Sequence, residues 1–190
     1  QTLMRIEPKE DGGYEFIDKI RGGAIPADFI PSVNKGIKKT LAKGIIAGFP
    51  IENVRVTLLD GKFHAVDSSD MAFQICGSIC FKKGFLKAGP ILLEPVMKIE
   101  VNTPDDHIGD IVGNLNRRRG KIESMRRYRK GSQKLSGFVP LSEMFGYSTT
   151  LRNLSSGRAN YSMEFHQYMP LPKAVQEEVL EKIKKANENN

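Results

Sequence analysis

Between Glu94 and Gln167 the spacing of apolar residues switches between a period of two and a helical period in the order β-α-β-β-α-β, and few folds accept that order. Met97, Ile99 and Val101 alternate with Lys98, Glu100 and Asn102, which predicts a strand with one buried face. Thr103-Pro104-Asp105-Asp106 then reads as a helix start: a threonine N-cap, a proline in the first turn, and acids at the positive end of the dipole. Ile108, Ile111, Val112 and Leu115 continue at helical spacing towards a stop near Gly120. Two strands follow, about Lys121–Tyr128 and Lys134–Val139, joined through a turn at Gly131. Ser142 is the expected cap of a second helix carrying Met144, Tyr147, Leu151 and Leu154, closed by Gly157. A last strand is expected to turn Ala159, Tyr161, Met163 and Phe165 inward, with Asn160, Ser162, Glu164 and His166 outward. This order predicts the split-βαβ, ferredoxin-like arrangement: four antiparallel strands with two helices on one face.

The residues before about 93 read as a second α+β unit. Leu3–Glu7 and Tyr14–Ile20 look like paired strands turned by Asp11-Gly12-Gly13. A helix with Ile30, Val33, Ile37 and Leu41 on one stripe follows, then a strand marked by Val54, Val56 and Leu58. Asp67-Ser68-Ser69-Asp70 supplies N-cap candidates for a helix running to about Lys83. That helix is apolar nearly all round, which predicts the buried centre of its unit. At the end of the chain Pro172 starts a helix with Val175, Val179, Leu180 and Ile183 on one side, and the Asn187–Asn190 tail is expected to fray.

Charge is concentrated. Arg117, Arg118, Arg119, Lys121, Arg126, Arg127, Arg129, Lys130 and Lys134 face one acid, Glu123, so this stretch carries +8 of a net +7 and the rest of the chain is −1. A patch of that kind is either a solvated, solubilising hairpin or a site for a polyanion. Cys76 and Cys80 lie four apart in an apolar run; they make no disulfide framework and suit a reducing compartment. No apolar stretch approaches the length of a membrane span. Gln1 enters strand-like sequence directly, which reads as a fragment of a longer chain.

Little in the sequence points to chemistry. No Gly-x4-Gly-Lys-[Ser/Thr] phosphate loop occurs, and Gly22-Gly23 lacks the dinucleotide fingerprint. No histidine lies close in sequence to Cys76 and Cys80, so no metal site is expected. Helix capping accounts for Asp105 and Asp106 beside His107 and Asp110 without acid–base catalysis. No nucleophile and base stand at a recognisable spacing, so no catalytic residue is expected. His64, after a strand and before a helix cap, should sit on a loop tip, and Arg21-Gly22-Gly23 forms another strand-to-helix loop. If both lie at one end of the sheet they form a composite tip suited to an RNA backbone or bases. An RNA- or protein-binding module is therefore favoured over an enzyme.

Several runs together resemble the C-terminal part of the bacterial translation elongation factor G family. The most specific is Val139-Pro140-Leu141-Ser142-Glu143-Met144-Phe145-Gly146-Tyr147 with Leu151-Arg152, Ser156-Gly157-Arg158-Ala159 and Met163-Glu164-Phe165. Leu92-Leu93-Glu94-Pro95-Val96-Met97 and Gly113-Asn114-Leu115-Asn116-Arg117-Arg118-Arg119-Gly120 also match, as do Gly22-Gly23-Ala24-Ile25-Pro26 and His64-Ala65-Val66-Asp67-Ser68-Ser69-Asp70. The resemblance implies a ribosomal-protein-S5-like domain IV over residues 1–91 plus 171–190, and a ferredoxin-like domain V over 94–168. It implies that domain IV enters the decoding centre, occupies the aminoacyl site and contacts tRNA and mRNA as they translocate. Arg21, Gly22, Gly23, Ala24, Ile25 and Pro26 in one loop, with Phe63, His64, Ala65 and Val66 in the other, match the tip loops. Ala65 stands where many members carry an acid. Domain V is implied to lie on large-subunit RNA near the sarcin–ricin loop and stalk base, with the basic stretch offering rRNA phosphate contacts.

The same resemblance implies a cytoplasmic protein, monomeric and without a cofactor here, because GTP and Mg belong to a GTPase domain this sequence lacks. Within the family, a mitochondrial, recycling-type or tetracycline ribosomal-protection factor is the alternative; the His64 and Ser142–Arg158 runs argue against the last. Outside it, the alternatives are a free-standing RNA-binding enzyme and a ferredoxin-like small-ligand domain.

Overall fold

The computed structural model describes residues 1–188. It divides into two compact units, Gln1–Pro90 with the chain from Val179 onward, and Ile91–Glu178. The division falls within the last helix, α5 (Lys173–Glu188). That helix follows Pro172, as expected, and runs through Asn187 rather than fraying there. Asn189 and Asn190, the end of the tail expected to fray, lie outside the described residues.

In the first unit β1 (Thr2–Pro8), β2 (Tyr14–Asp18) and β3 (Val54–Gly61) form a sheet in the order β1-β3-β2. β3 runs antiparallel to β1 and parallel to β2. The expected β1–β2 hairpin is therefore wrong: the third strand separates the first two. Val56 and Leu58 have no exposed surface, and a strand so apolar is best placed in the centre, with both of its backbone edges paired. Asn53 makes the insertion possible. Its φ is +60°, its carbonyl accepts from the Lys9 N–H at 2.9 Å, and its side-chain oxygen accepts from the Gly13 N–H at 3.2 Å. The segment that would have closed a hairpin bonds instead to the residue entering β3.

Met4, Ile6, Tyr14 and Phe16 join the β3 residues on one face, under α1 (Ile30–Lys43) and α2 (Asp70–Lys87). Val33, Ile37 and Leu41 supply the α1 stripe that their spacing predicts. Ser69 caps α2, its hydroxyl accepting from the Ala72 N–H at 3.1 Å. The helices approach at glycines: a Cβ on Gly36 would lie 2.0 Å from the Gln74 carbonyl oxygen, and one on Gly77 2.7 Å from that of Val33. α2 is not the buried centre expected. Phe73, Gly77 and Phe81 face inward, but Met71, Ile75 and Ile79 keep half or more of their surface. Two helices side by side already cover three strands, and the far side of α2 has no layer to meet.

The second unit is a sheet of β4 (Leu93–Pro104), β5 (Lys121–Arg129), β6 (Ser132–Pro140) and β7 (Asn160–Pro170). Its order is β5-β6-β4-β7, every pair antiparallel. With α3 (Ile108–Arg117) and α4 (Tyr147–Leu154) this is the ferredoxin-like arrangement predicted. Ile99 and Val101 of β4, and Leu135 and Val139 of β6, pack on Ile111, Leu115, Tyr147 and Leu151. On β7 only Tyr161 meets this core closely, edge-on to Tyr147 at 5.0 Å. Met163 and Phe165, expected inward, are 40% and 55% exposed because β7 is an edge strand and the two short helices lie over the centre.

Both helix caps predicted in this unit fail. Thr103 stays in β4, opposite Gln133, and donates its hydroxyl to the Pro104 carbonyl. α3 begins only after a 3-10 turn over Asp105–His107. Ser142 lies in a second 3-10 turn, Leu141–Glu143, which lets Met144 reach the core, and Gly146 at φ +73° redirects the chain into α4.

Arg119, at φ +57°, ends α3 and turns its guanidinium inward. Nη1 and Nη2 donate to the two carboxylate oxygens of Glu94 at 2.7 and 2.8 Å, and Nε donates to Glu143 at 2.9 Å. Glu94 is 9% exposed, so this ion pair ties the start of β4 to the helix end under partial desolvation. Hydrogen bonding to Glu94, opposed by burial and reinforced by Glu143, raises the Arg119 pKa further above arginine's ordinary value.

Gly36→Ala is expected to destabilise the chain by about 1–3 kcal/mol, because the obstructing atoms are helix backbone. Gly113→Ala in α3, with no atom within 4 Å of its added Cβ, should instead stabilise by roughly 0.5–1 kcal/mol. Arg119→Met, which leaves the buried Glu94 without its partner, should cost about 2–3 kcal/mol. Urea unfolding of the three variants checks all of these.

Candidate nucleic-acid interface

The first unit brings the two glycine- and histidine-bearing loops together. Arg21–Pro26 connects β2 to a 3-10 turn over Ala27–Phe29, and Phe63–Val66 lies between β3 and α2. Ile25, only 2% exposed, fills the space a side chain on Gly61 would need; its Cδ1 lies 2.4 Å from that Cβ position. Phe63 stacks on Phe29 with centroids 5.7 Å apart, and Phe29 stacks on Phe73 of α2 at 4.9 Å. Three rings thus run from the second loop, through the turn after the first, into the core.

On that base Arg21, Gly22, Gly23, His64, Ala65 and Val66 are exposed, with Ala24 and Pro26 half-buried. Gly22 and Gly23 hold φ of +62° and +68°, a conformation that presents backbone at the surface and that other residues adopt only under strain. The His64 N–H donates to the Ser68 hydroxyl at 3.1 Å, and the His64 carbonyl accepts from the Asp67 N–H at 3.2 Å, which closes the loop into a turn. Val66 is 95% exposed. Ile25 is the correction among the ten tip residues: it anchors the loop from inside and has no surface to offer a partner. Phe29 and Phe73 were missed by sequence reasoning, since an aromatic in a short turn and another in an apolar helix carry no mark of their shared stack.

The basic stretch of the second unit divides in two. Arg118 is spent on the fold: it donates to Asn114 at 3.0 Å, to the Glu143 and Phe145 carbonyls, and to the Thr150 hydroxyl at 3.1 Å, with its Cζ 5.3 Å from the centre of the Tyr147 ring. Arg119 is held by Glu94 and Glu143. Lys134 pairs with Glu100 at 2.8 Å, and its hydrogen bond is the largest cause holding the Glu100 carboxyl below the usual range. These three are corrected from candidate phosphate ligands to internal partners. Arg117, Lys121, Arg126, Arg127, Arg129 and Lys130 are exposed or half-buried, and none has a carboxylate within salt-bridge distance among the described residues. One faint sign of the division is legible in the chain itself: Arg118 and Arg119 immediately precede the glycine that ends α3, where cations meet free carbonyls.

Elsewhere, Cys76 and Cys80 turn towards β1: the Cys76 sulfur lies 3.4 Å from the Thr2 hydroxyl, and the Cys80 thiol donates to the Thr2 carbonyl at 3.3 Å. Among the described residues no three or more of His, Cys, Asp and Glu are grouped to hold a metal ion. No described helix is long and apolar enough to cross a membrane.

The family model described as elongation factor G, domain IV matches residues 1–102, and that described as elongation factor G C-terminus matches residues 91–179. A crystal structure of a protein from Thermus thermophilus superposes with a TM-score of 0.89 at 34% identity, over 97% of this chain and 27% of that one. The chain therefore spans about a quarter of that protein's length. With the two family matches and the structural match in agreement, the chain belongs to the elongation factor G family and comprises its domain IV and C-terminal domain.

Proposed function

We propose that this part of a translation factor binds the ribosome during translocation, its first unit entering the decoding centre and its second resting on large-subunit RNA. The observation that carries the reading is the braced tip: three stacked rings and a buried Ile25 hold Arg21, His64 and Val66 outward in a fixed arrangement. A tip of that kind acts by occupying space and by fitting a shaped RNA surface, since the deep groove of A-form RNA offers few readable edges. In this reading His64, Ala65 and Val66, with the Arg21–Ala24 backbone, meet the tRNA–mRNA duplex in the aminoacyl site. Arg117, Lys121, Arg126, Arg127, Arg129 and Lys130 meet rRNA phosphates, the sarcin–ricin loop and stalk base being the family's neighbourhood.

No step of this role asks the chain for proton transfer or a covalent intermediate. GTP hydrolysis with Mg is assigned to the GTPase domain of longer family members, because this sequence has no phosphate loop to cradle a nucleotide. We place the protein in the cytoplasm, where its ribosomes are, and take it to act as a monomer.

Co-sedimentation with bacterial ribosomes over a salt series tests the reading. Binding should saturate, be displaced by a full-length factor, and weaken steeply with salt. Reversing Arg126 and Arg127 to glutamate should flatten the logarithmic salt slope by roughly 1–2. His64→Ala should leave that slope unchanged but reduce competition with a tRNA anticodon stem-loop for the aminoacyl site. Binding that neither saturates nor yields to the factor would sink the proposal.

A further inference from the structure

The hairpin between β5 and β6 carries a feature that phosphate binding does not use. Arg127 pairs with Gln133 and Arg129 with Ser132, so Tyr128 is the extra residue of a β-bulge at the end of an edge strand. A bulge re-aims a side chain out of the regular alternation. Tyr128 is 53% exposed, and no other aromatic ring stacks on it among the described residues. The Arg129 guanidinium lies over its ring, with Cζ 5.2 Å from the centroid. Arg126, Arg127 and Lys130 flank it, all exposed.

Among the described residues no carboxylate lies within salt-bridge distance of these four cations, and Glu100 on the neighbouring strand pairs with Lys134. Solubility alone accounts for arginine and lysine on an edge strand. It does not account for a half-exposed aromatic ring placed among four cations by a bulge.

We infer that Tyr128 is a stacking platform for an unpaired RNA base, with Arg126, Arg127, Arg129 and Lys130 holding the phosphates on either side of it. A base adds its face to the ring and the Arg129 guanidinium, while the flanking cations follow the backbone; this pairing of aromatic surface with positive charge is what single strands and loops require and a duplex does not satisfy. The inference rests on the ribosomal reading only for where such a loop is met. It narrows the ligand of this hairpin from any polyanion to RNA with an accessible base.

Fluorescence anisotropy on the whole chain tests it with three probes: labelled oligoadenylate, an RNA duplex of equal length, and polyphosphate. Tyr128→Ala should weaken oligoadenylate binding about tenfold, and Tyr128→Phe by no more than about twofold, because the ring face is what stacks. Neither variant should change binding to duplex or polyphosphate, and both should retain the circular dichroism spectrum of the parent. Arg126→Gln with Arg127→Gln should weaken all three probes. Equal loss on oligoadenylate and polyphosphate in Tyr128→Ala, or no loss on either, overturns the stacking site. Competition by polyaspartate as effective, charge for charge, as oligoadenylate overturns it in favour of an acidic protein partner. Ribosome binding by the unaltered chain is read in parallel: its absence, with the oligoadenylate selectivity intact, removes the ribosomal reading and leaves the platform standing.

Discussion

Each sheet has helices on one face, and the other face must be built from side chains that satisfy one another at the surface. In the first unit Glu15 and Arg55 occupy directly opposed positions of β2 and β3 and meet at 2.6 Å. In the second the open face is a ladder across β6, β4 and β7: Lys134 with Glu100, Lys98 with Glu164, and Asn102 with Asn160. Exposed pairs of this kind contribute little stability individually. Their importance is in register, because a one-residue slip would carry charges into the apolar layer and core residues out of it. The same demand consumes positive charge before any partner is met.

That consumption decides which cations remain for binding. Sequence shows nine basic residues as one block, but the fold uses them in three ways. Arg118 and Arg119 hold the end of α3 to the start of β4, to the turn before α4 and to α4 itself, Lys134 completes the open-face ladder, and six have no carboxylate partner among the described residues. Charge density along a chain is therefore a poor map of charge density on its surface. Guanidinium groups near a glycine-terminated helix are the ones most readily drawn inward, since carbonyls there lack partners.

The legible parts of this fold are those where periodicity and burial coincide. Ile99 and Val101, Ile111 and Leu115, and Val33, Ile37 and Leu41 all lie where their spacing places them, and the β-α-β-β-α-β order led to the right second domain. The errors share a cause. Met163, Phe165, Ile75 and Ile79 have core-like spacing but lie beyond the reach of the layer that would cover them, and spacing along a chain does not count layers. The β1–β2 hairpin failed because local turn residues cannot announce a strand that arrives forty residues later through Asn53. Thr103 and Ser142 have cap-like neighbours, yet strand pairing in one case and a 3-10 turn in the other reached the backbone first. For the tip, His64 and the paired glycines were visible as loop residues, whereas the rings that brace them are separated in sequence and unremarkable singly.

The ring stack from Phe63 through Phe29 to Phe73 gives the tip a mechanical character. A loop supported only by its own backbone yields when pushed, since rotating a few torsions costs little. Here a push on the second loop is carried ring to ring into α2, which lies so close to α1 that a side chain on Gly77 would collide with the Val33 carbonyl. Close-packed interiors have low compressibility, so that path behaves as a strut. Thrust at the surface is delivered to a helix pair instead of being dissipated in the loop, which is what the proposed entry into an occupied aminoacyl site would ask of its leading end.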